Sequence, residues 1–366
     1  MLLKLLVEVR TSRIEGEILE SNNLKCFTLN EVKTATRNFH PDGLVGEGGF
    51  GSVFKGWIDE QTLAPTPTKS GADFVIAVKR LYQETNKGLG KWLTEINYLG
   101  QLHHPNLVKL VGYCFEDEHQ ILLYEFLTKG SLDNHLFGRV SNFQPLSWKI
   151  RMKIALDVAK GLAFLHRDEV GVIYRHFKTS KILIDSNYNA KLSVFGLEKD
   201  RSEDDTMDSE VVFIGTTVYI APEYLFKGRL TKKIDVYSSG VVLLEIMSGK
   251  HAFDRKRPLE EQNLVEWAKP LLVSKRKISK VIDSHIQGQY SSREVMKVAC
   301  IIIQCLSGRP KYRPNIDEVM RSLEQLHDSN DIVDGVGNSQ SPHQTINHQN
   351  KWPYFKQQWF RSWKKC

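Results

Sequence analysis

No stretch of the chain approaches the roughly 20 consecutive apolar residues that a bilayer-spanning helix needs. The opening run, Met1-Leu2-Leu3-Lys4-Leu5-Leu6-Val7, is short and split by a lysine, with no small-residue cleavage site behind it. It reads as a packed or frayed terminal segment, not a signal peptide. Leucine at position 2 leaves no N-myristoylation site on this start. Cysteine is scarce: Cys26, Cys114, Cys300, Cys305 and Cys366 fall at no metal-ligand spacing and suggest no disulfide framework, as expected of thiols in a reducing, cytoplasmic compartment. No repeat recurs at a fixed period. The net charge of +7 is modest and the bases are interspersed with acids until the end of the chain, which argues against a nucleic-acid partner.

What remains is the composition of a globular protein, 41% apolar and 25% charged, enough for one large domain or two ordinary ones. Organisation begins at Thr28-Leu29-Asn30-Glu31, a capping box that predicts a short helix carrying Val32, Ala35 and Phe39. Residues 44–58 alternate as two strands around a glycine-rich turn, and a Pro/Thr/Ser/Gly loop over 59–73 leads to a buried strand, Phe74-Val75-Ile76-Ala77-Val78-Lys79. Leu89, Trp92, Leu93, Ile96 and Leu99 carry a helical period. From Ser147 onward helices dominate: 150–166 is apolar at i, i+3 and i+4, and 236–247 is almost wholly apolar. A small strand-rich lobe therefore precedes a larger helical one. After Asp328 the chain turns polar and reads as disordered.

Gly46-Glu47-Gly48-Gly49-Phe50-Gly51-Ser52-Val53 fits G-x-G-x-x-G-x-V, with glycines where backbone approaches phosphate oxygens. A dinucleotide-binding turn would run into a helix. Here Val53-Phe54-Lys55-Gly56-Trp57-Ile58 continues as strand, which favours a β-hairpin lid over a nucleotide. Lys79 closes the following apolar strand, placed to pair phosphates and to be held by a carboxylate on the next helix, where Glu95 stands.

With these motifs the sequence resembles the protein kinase superfamily, and within it the plant receptor-like cytoplasmic kinases of subfamily VII, the group around the avirulence-protein-susceptible kinases of plant immunity. The resemblance runs from about Leu24 to Leu326. It is carried by Phe27-Thr28, Ala35-Thr36-Arg37-Asn38-Phe39, Leu123-Tyr124-Glu125-Phe126, Gly130-Ser131-Leu132 and Asn134-His135-Leu136-Phe137, then by Ala221-Pro222-Glu223-Tyr224, Asp235-Val236-Tyr237-Ser238 and Arg313-Pro314. It implies an α+β, bilobal kinase fold. The expected division is an N-terminal extension over 1–43, a kinase-like domain over 44–326 (small lobe 44–127, large lobe 128–326) and a disordered tail over 327–366. It further implies that Gly46, Gly48, Gly51 and Lys79 with Glu95 hold phosphates, that Val53, Ala77 and Leu183 sandwich an adenine, and that backbone near Glu125 and Leu127 bonds its edge. Glu223 would pair with Arg313, and Asp235 would brace the catalytic loop.

The departures lie in the chemistry. The catalytic loop reads Tyr174-Arg175-His176-Phe177-Lys178-Thr179-Ser180-Lys181, where the family pattern has aspartate at 176 and asparagine at 181. The metal-binding segment reads Lys191-Leu192-Ser193-Val194-Phe195-Gly196, where it has aspartate at 194. Histidine at 176 is a damaged base position, since it brings no fixed negative charge. Valine at 194 offers Mg²⁺ no oxygen, and Lys181 sets a cation where a cation should bind, so Mg²⁺ is not expected as a cofactor. Lys181 could instead stand against the phosphates as a point charge, which admits ATP without Mg²⁺. The activation segment has Glu210-Val211-Val212 before Gly215-Thr216, where the family carries a phosphorylatable run. Glu210 could imitate a phosphate beside Arg175, or the loop could simply have decayed. Valine at 218 replaces a family glycine and would stiffen the substrate-side loop.

The end of the chain, Lys351-Trp352-Pro353-Tyr354-Phe355-Lys356 and Trp359-Phe360-Arg361-Ser362-Trp363-Lys364-Lys365-Cys366, interleaves aromatics with bases. It suits a peripheral contact with anionic lipid, or is an inert extension. Two functional readings stay open. One is a cytoplasmic pseudokinase, a binding platform or decoy whose partners are receptor kinases or related cytoplasmic kinases. The other is a weakly active Ser/Thr kinase that works with His176, Lys178 and Lys181.

Overall fold

A computed structural model of the protein describes residues 24–48, 51–66, 73–82, 102–116, 119–138, 144–175, 177–193, 198–199, 217–228 and 230–334, with Trp92, Ile96 and Gly100 between them. Met1–His327 forms one compact unit. Asp328–Cys366 forms a second, of which only the helical residues to 334 are described.

The small lobe is a six-stranded sheet of β1 (Lys25–Cys26), β2 (Leu44–Gly48), β3 (Gly51–Asp59), β4 (Asp73–Leu81), β5 (Leu110–Glu116) and β6 (His119–Glu125), in the order β1-β5-β6-β4-β3-β2. All pairs are antiparallel except β1 with β5, where Lys25 lies opposite Gly112 and Cys26 opposite Tyr113. Alternation along β6 sorts its side chains. Ile121 and Leu123 face one cluster, and Leu122 and Tyr124 face the main core with Trp92 and Ile96.

The first of these faces is covered by α1 (Leu29–Ala35). Its capping box forms as the sequence predicts: the Glu31 N–H donates to Thr28 Oγ1 (3.1 Å), and the Thr28 N–H donates to the Glu31 carboxylate (2.7 Å). Phe27, Leu29, Val32 and Ala35 are buried against Ile76, Val78, Val111, Ile121 and Leu123. At roughly 1.5–3 kcal/mol for each large apolar side chain, this packing makes residues 24–39 part of the sheet's own core.

The large lobe is helical: α2 (Leu132–Phe137), α3 (Trp148–Leu165), α4 (Pro222–Lys227), α5 (Lys232–Ser248), α6 (Leu264–Leu272), α7 (Ser292–Cys305) and α8 (Ile316–Asp334), with the short strands β7 (Val172–Ile173), β8 (Ile182–Ile184), β9 (Ala190–Leu192) and β10 (Glu198–Lys199). Every residue from Ile234 to the end of α5 is buried, which explains its unbroken apolar run. Arg151 of α3 is buried and spends its guanidinium on the Leu146 carbonyl (2.9 Å), the Ile246 carbonyl (2.8 Å) and Asp283 (2.5 Å), so it staples three segments. The final helix runs on to Asp334, past the polar turn in composition at Asp328. No helix among the described residues is long and apolar enough to cross a membrane.

Candidate functional site

The lid hairpin, the Lys79 strand and the hinge strand are neighbours in the small-lobe sheet, and the β8–β9 ribbon is tied to the flanking segments by bridges from Leu183 to Ser131 and from Leu192 to Leu107. Hairpin register sets Gly46 opposite Val53 and Gly48 opposite Gly51, and β3–β4 register sets Val53 opposite Lys79. The glycines have different reasons for being there. Gly51 has φ +143°, and a Cβ on it would lie 2.1 Å from the Arg80 carbonyl oxygen, so the sheet itself demands glycine. A Cβ on Gly46 would meet nothing within 4 Å among the described residues, so their packing does not itself demand glycine there. Gly51→Ala is accordingly expected to destabilise the fold by ~2 kcal/mol or more. Gly46→Ala should leave the thermal midpoint nearly unchanged and weaken nucleotide binding. Thermal melts with and without ATP check both.

Val53, Ala77 and Leu183 are each half-buried, and Leu127 is buried at the hinge. Leu183 is joined to the segment after the hinge by a bridge to Ser131. The Glu125 side chain is committed elsewhere. Its carboxylate accepts from Lys191 Nζ (2.7 and 2.8 Å) and from the Lys109 N–H (2.8 Å), which ties the hinge to β9. Its backbone is engaged as well, the Glu125 N–H donating to the Lys109 carbonyl (3.0 Å). Sequence reading missed Lys191. The only signal was a basic residue at the middle of a three-residue strand.

The catalytic loop hangs from Asp235. Its buried carboxylate accepts from the Tyr174 N–H (2.7 Å), the Arg175 N–H (2.8 Å) and His166 Nε2 (2.8 Å). Arg175 adopts φ +66°, a left-handed conformation that a side chain tolerates only when its surroundings impose it. The Tyr174 hydroxyl donates to the Ser193 carbonyl, joining this loop to the segment that leads to 194. Residues 179–181 form a single 3₁₀ turn in which the Lys181 N–H donates to the Lys178 carbonyl (2.9 Å). The Lys181 carbonyl in turn accepts from the Ser193 N–H (2.8 Å), so position 181 abuts the strand end that enters Val194. Glu95, His176, Val194 and Glu210 lie outside the described residues. Arg175, the proposed neighbour of Glu210, donates from Nε to the Tyr224 hydroxyl (2.7 Å).

On the substrate side, Arg313 grips Glu223 through both guanidinium nitrogens (2.6 and 2.7 Å) and reaches the Ser307 and Lys233 carbonyls. Val218 is buried, and its neighbour Tyr219 donates to Glu245 of α5 (2.7 Å). The Ala252 N–H donates to the same carboxylate oxygen (2.7 Å), and the other oxygen has no hydrogen-bond partner among the described residues.

Burial pushes the Glu245 carboxyl up to about 7 from its usual 4.5, against the Tyr219, Ala252 and Thr179 hydrogen bonds that favour the charged form. Between those two values the folded chain keeps a proton that the unfolded chain has lost. Stability therefore falls as pH rises through that window, by on the order of 3 kcal/mol if nothing else titrates. Urea titrations at about pH 5 and about pH 8 should show this slope, and Glu245→Gln should flatten it.

Among the described residues no three His, Cys, Asp or Glu side chains stand together as a metal site. Among the described residues β4 carries Lys79 and the 179–181 turn is flanked by Lys178 and Lys181, while the lid carries Glu47, whose carboxylate accepts from the Tyr82 hydroxyl (2.6 Å).

A β-sheet lobe with a glycine lid and strand lysine, joined by a hinge to a helical lobe with the Asp235-braced loop and the Glu223–Arg313 pair, defines the protein kinases. The chain belongs to the protein tyrosine and serine/threonine kinase family, whose model matches residues 40–323, and to its plant receptor-like cytoplasmic branch. It is 60% identical over 319 residues to receptor-like cytoplasmic kinase 176 of Oryza sativa subsp. japonica, covering 87% of this chain and 80% of that protein. It is also 60% identical over 326 residues to the probable serine/threonine-protein kinase PBL10 of Arabidopsis thaliana (89% of this chain, 79% of that protein). To the serine/threonine-protein kinase BIK1 of the same plant it is 57% identical over 317 residues (87% and 80%). The family implies ATP as ligand, and Mg²⁺ is its ordinary companion.

Proposed function

We propose that this chain is a cytoplasmic, catalytically inactive member of the receptor-like cytoplasmic kinases, close to subfamily VII. It serves as a binding platform or decoy for receptor kinases or related cytoplasmic kinases in plant defence signalling. The observation that carries this reading is Lys181, which stands at a metal-anchoring position of the family and abuts the strand that enters Val194. Mg²⁺ wants hard oxygen ligands. An ammonium and an isopropyl group supply none, so the two residues do not fit the ion. The adenine and phosphate positions, by contrast, suit a nucleotide: Gly46 is open among the described residues, Val53, Ala77 and Leu183 are half-buried, and Lys79 of β4 lies opposite Val53.

A second reading, a weakly active Ser/Thr kinase, draws support from Lys178 and Thr179, which follow the Ser/Thr form of the loop, and from relatives named as serine/threonine kinases. Transfer of γ-phosphate by purified protein, compared with a Lys79→Met variant, separates the two. Loss of transfer in that variant would establish the second and remove the first.

A further inference from the structure

The three catalytic departures shift the cleft's charge in one direction. Asparagine to Lys181 adds a positive charge, aspartate to Val194 removes a negative one, and aspartate to a neutral His176 removes another. Lys178 precedes and Lys181 ends one 3₁₀ turn, Lys181 is joined through its carbonyl to Ser193, and Lys79 lies opposite Val53 of the lid hairpin. In an ordinary kinase cleft, metal dications held by the protein's oxygen ligands balance the triphosphate, and an electrostatic account of such a site must include the ion's own charge. Here the sequence puts a lysine at one of the two positions where the family pattern anchors the metal.

We infer that the ligand of this cleft is the metal-free nucleoside triphosphate and that Mg²⁺ antagonises its binding, an inference that rests on the inactive-platform reading. The argument is one of charge matching. A free triphosphate brings its full negative charge to Lys79, Lys178 and Lys181. The same triphosphate complexed with Mg²⁺ has half of that charge cancelled, and carries a dication on the phosphate oxygens that Lys181 would meet. Lysine suits this role because its ammonium is a compact, movable point charge that needs no fixed geometry. Free Mg²⁺ then sets how much of the cleft is filled.

The test is calorimetric titration of the full-length protein with ATP in EDTA, in MgCl₂, and in NaCl matched for ionic strength so that simple screening is subtracted. Free ATP should bind at least about tenfold more tightly than Mg·ATP. Lys181→Asn should weaken free ATP about tenfold and erase the difference, while the ligand-free melting temperature stays the same. Lys181→Asn with Val194→Asp should invert the preference. Equal affinity in EDTA and MgCl₂, or no nucleotide binding in either, would overturn the inference and leave the platform reading standing. Tighter binding in MgCl₂ would also overturn it, and would sink the platform reading only if labelled phosphate were transferred as well.

Discussion

Incubated with γ-labelled ATP, Mg²⁺ and a general acceptor protein, the purified chain is expected to transfer no more label than its Lys79→Met variant. The expectation rests on what phosphoryl transfer asks of a protein, which is positioning and charge neutralisation far more than covalent chemistry. Position 176 supplies general-base help worth about 10²–10⁴ in rate. His176→Asp alone should nevertheless restore nothing measurable, because Lys181 and Val194 still leave the metal without protein ligands. The groups act as a unit, so their losses are not summed. His176→Asp, Lys181→Asn and Val194→Asp together should bring transfer back, since the Asp235 brace, the Glu223–Arg313 pair and the hinge are in place. A single His176→Asp change that revives turnover would show that the metal argument is wrong. A silent triple variant would move the blame to the activation segment around Glu210 and to Val218.

Much of the fold was legible because its signals are local. The capping box at Thr28 and Glu31, the glycine lid, the apolar strand through Lys79, which runs on two residues to Leu81, and the apolar core of α5 are each set by residues close together in the chain. Pairs far apart in sequence were not legible. Lys191 and Glu125 are 66 residues apart, and neither neighbourhood signals the other. β1 has only two residues, too few for any period, and exists because Lys25 and Cys26 find Gly112 and Tyr113. Two missed features did leave a trace. Glu245 stands inside an apolar helical run and Arg151 inside another, and a charge in such a place is almost never buried without a dedicated partner. Each therefore announces that a buried partner exists, without naming Tyr219 or Asp283, which lie 26 and 132 residues away. In the candidate site, the losses at 176, 181 and 194 could be read only against the family pattern, because nothing in a histidine, a lysine or a valine alone announces a missing carboxylate or amide.

Asp235→Ala is expected to be the most damaging single change in the large lobe that leaves the cleft's own residues untouched. The carboxylate is fully buried and accepts three hydrogen bonds: the backbone N–H groups of Tyr174 and Arg175, and His166 Nε2. Alanine would strand all three donors in a place that water does not reach. Each buried unsatisfied donor costs about 1–3 kcal/mol, and removing one partner of a buried polar cluster typically costs about 3–5 kcal/mol in all. For a domain of this size about 2–4 °C of melting temperature accompanies each kcal/mol, so a fall of roughly 10 °C should appear in a thermal melt. Asp235→Asn keeps one acceptor oxygen and should lose less. Loss of the brace also frees Arg175 from its left-handed conformation, so the loop that carries Lys178 and Lys181 would no longer be held in register. Asp235→Asn should therefore weaken ATP binding in EDTA although residue 235 is not one of the cleft's phosphate-facing cations. A variant that melts within a degree of the parent and binds free ATP as tightly would mean that the loop is held by something other than Asp235.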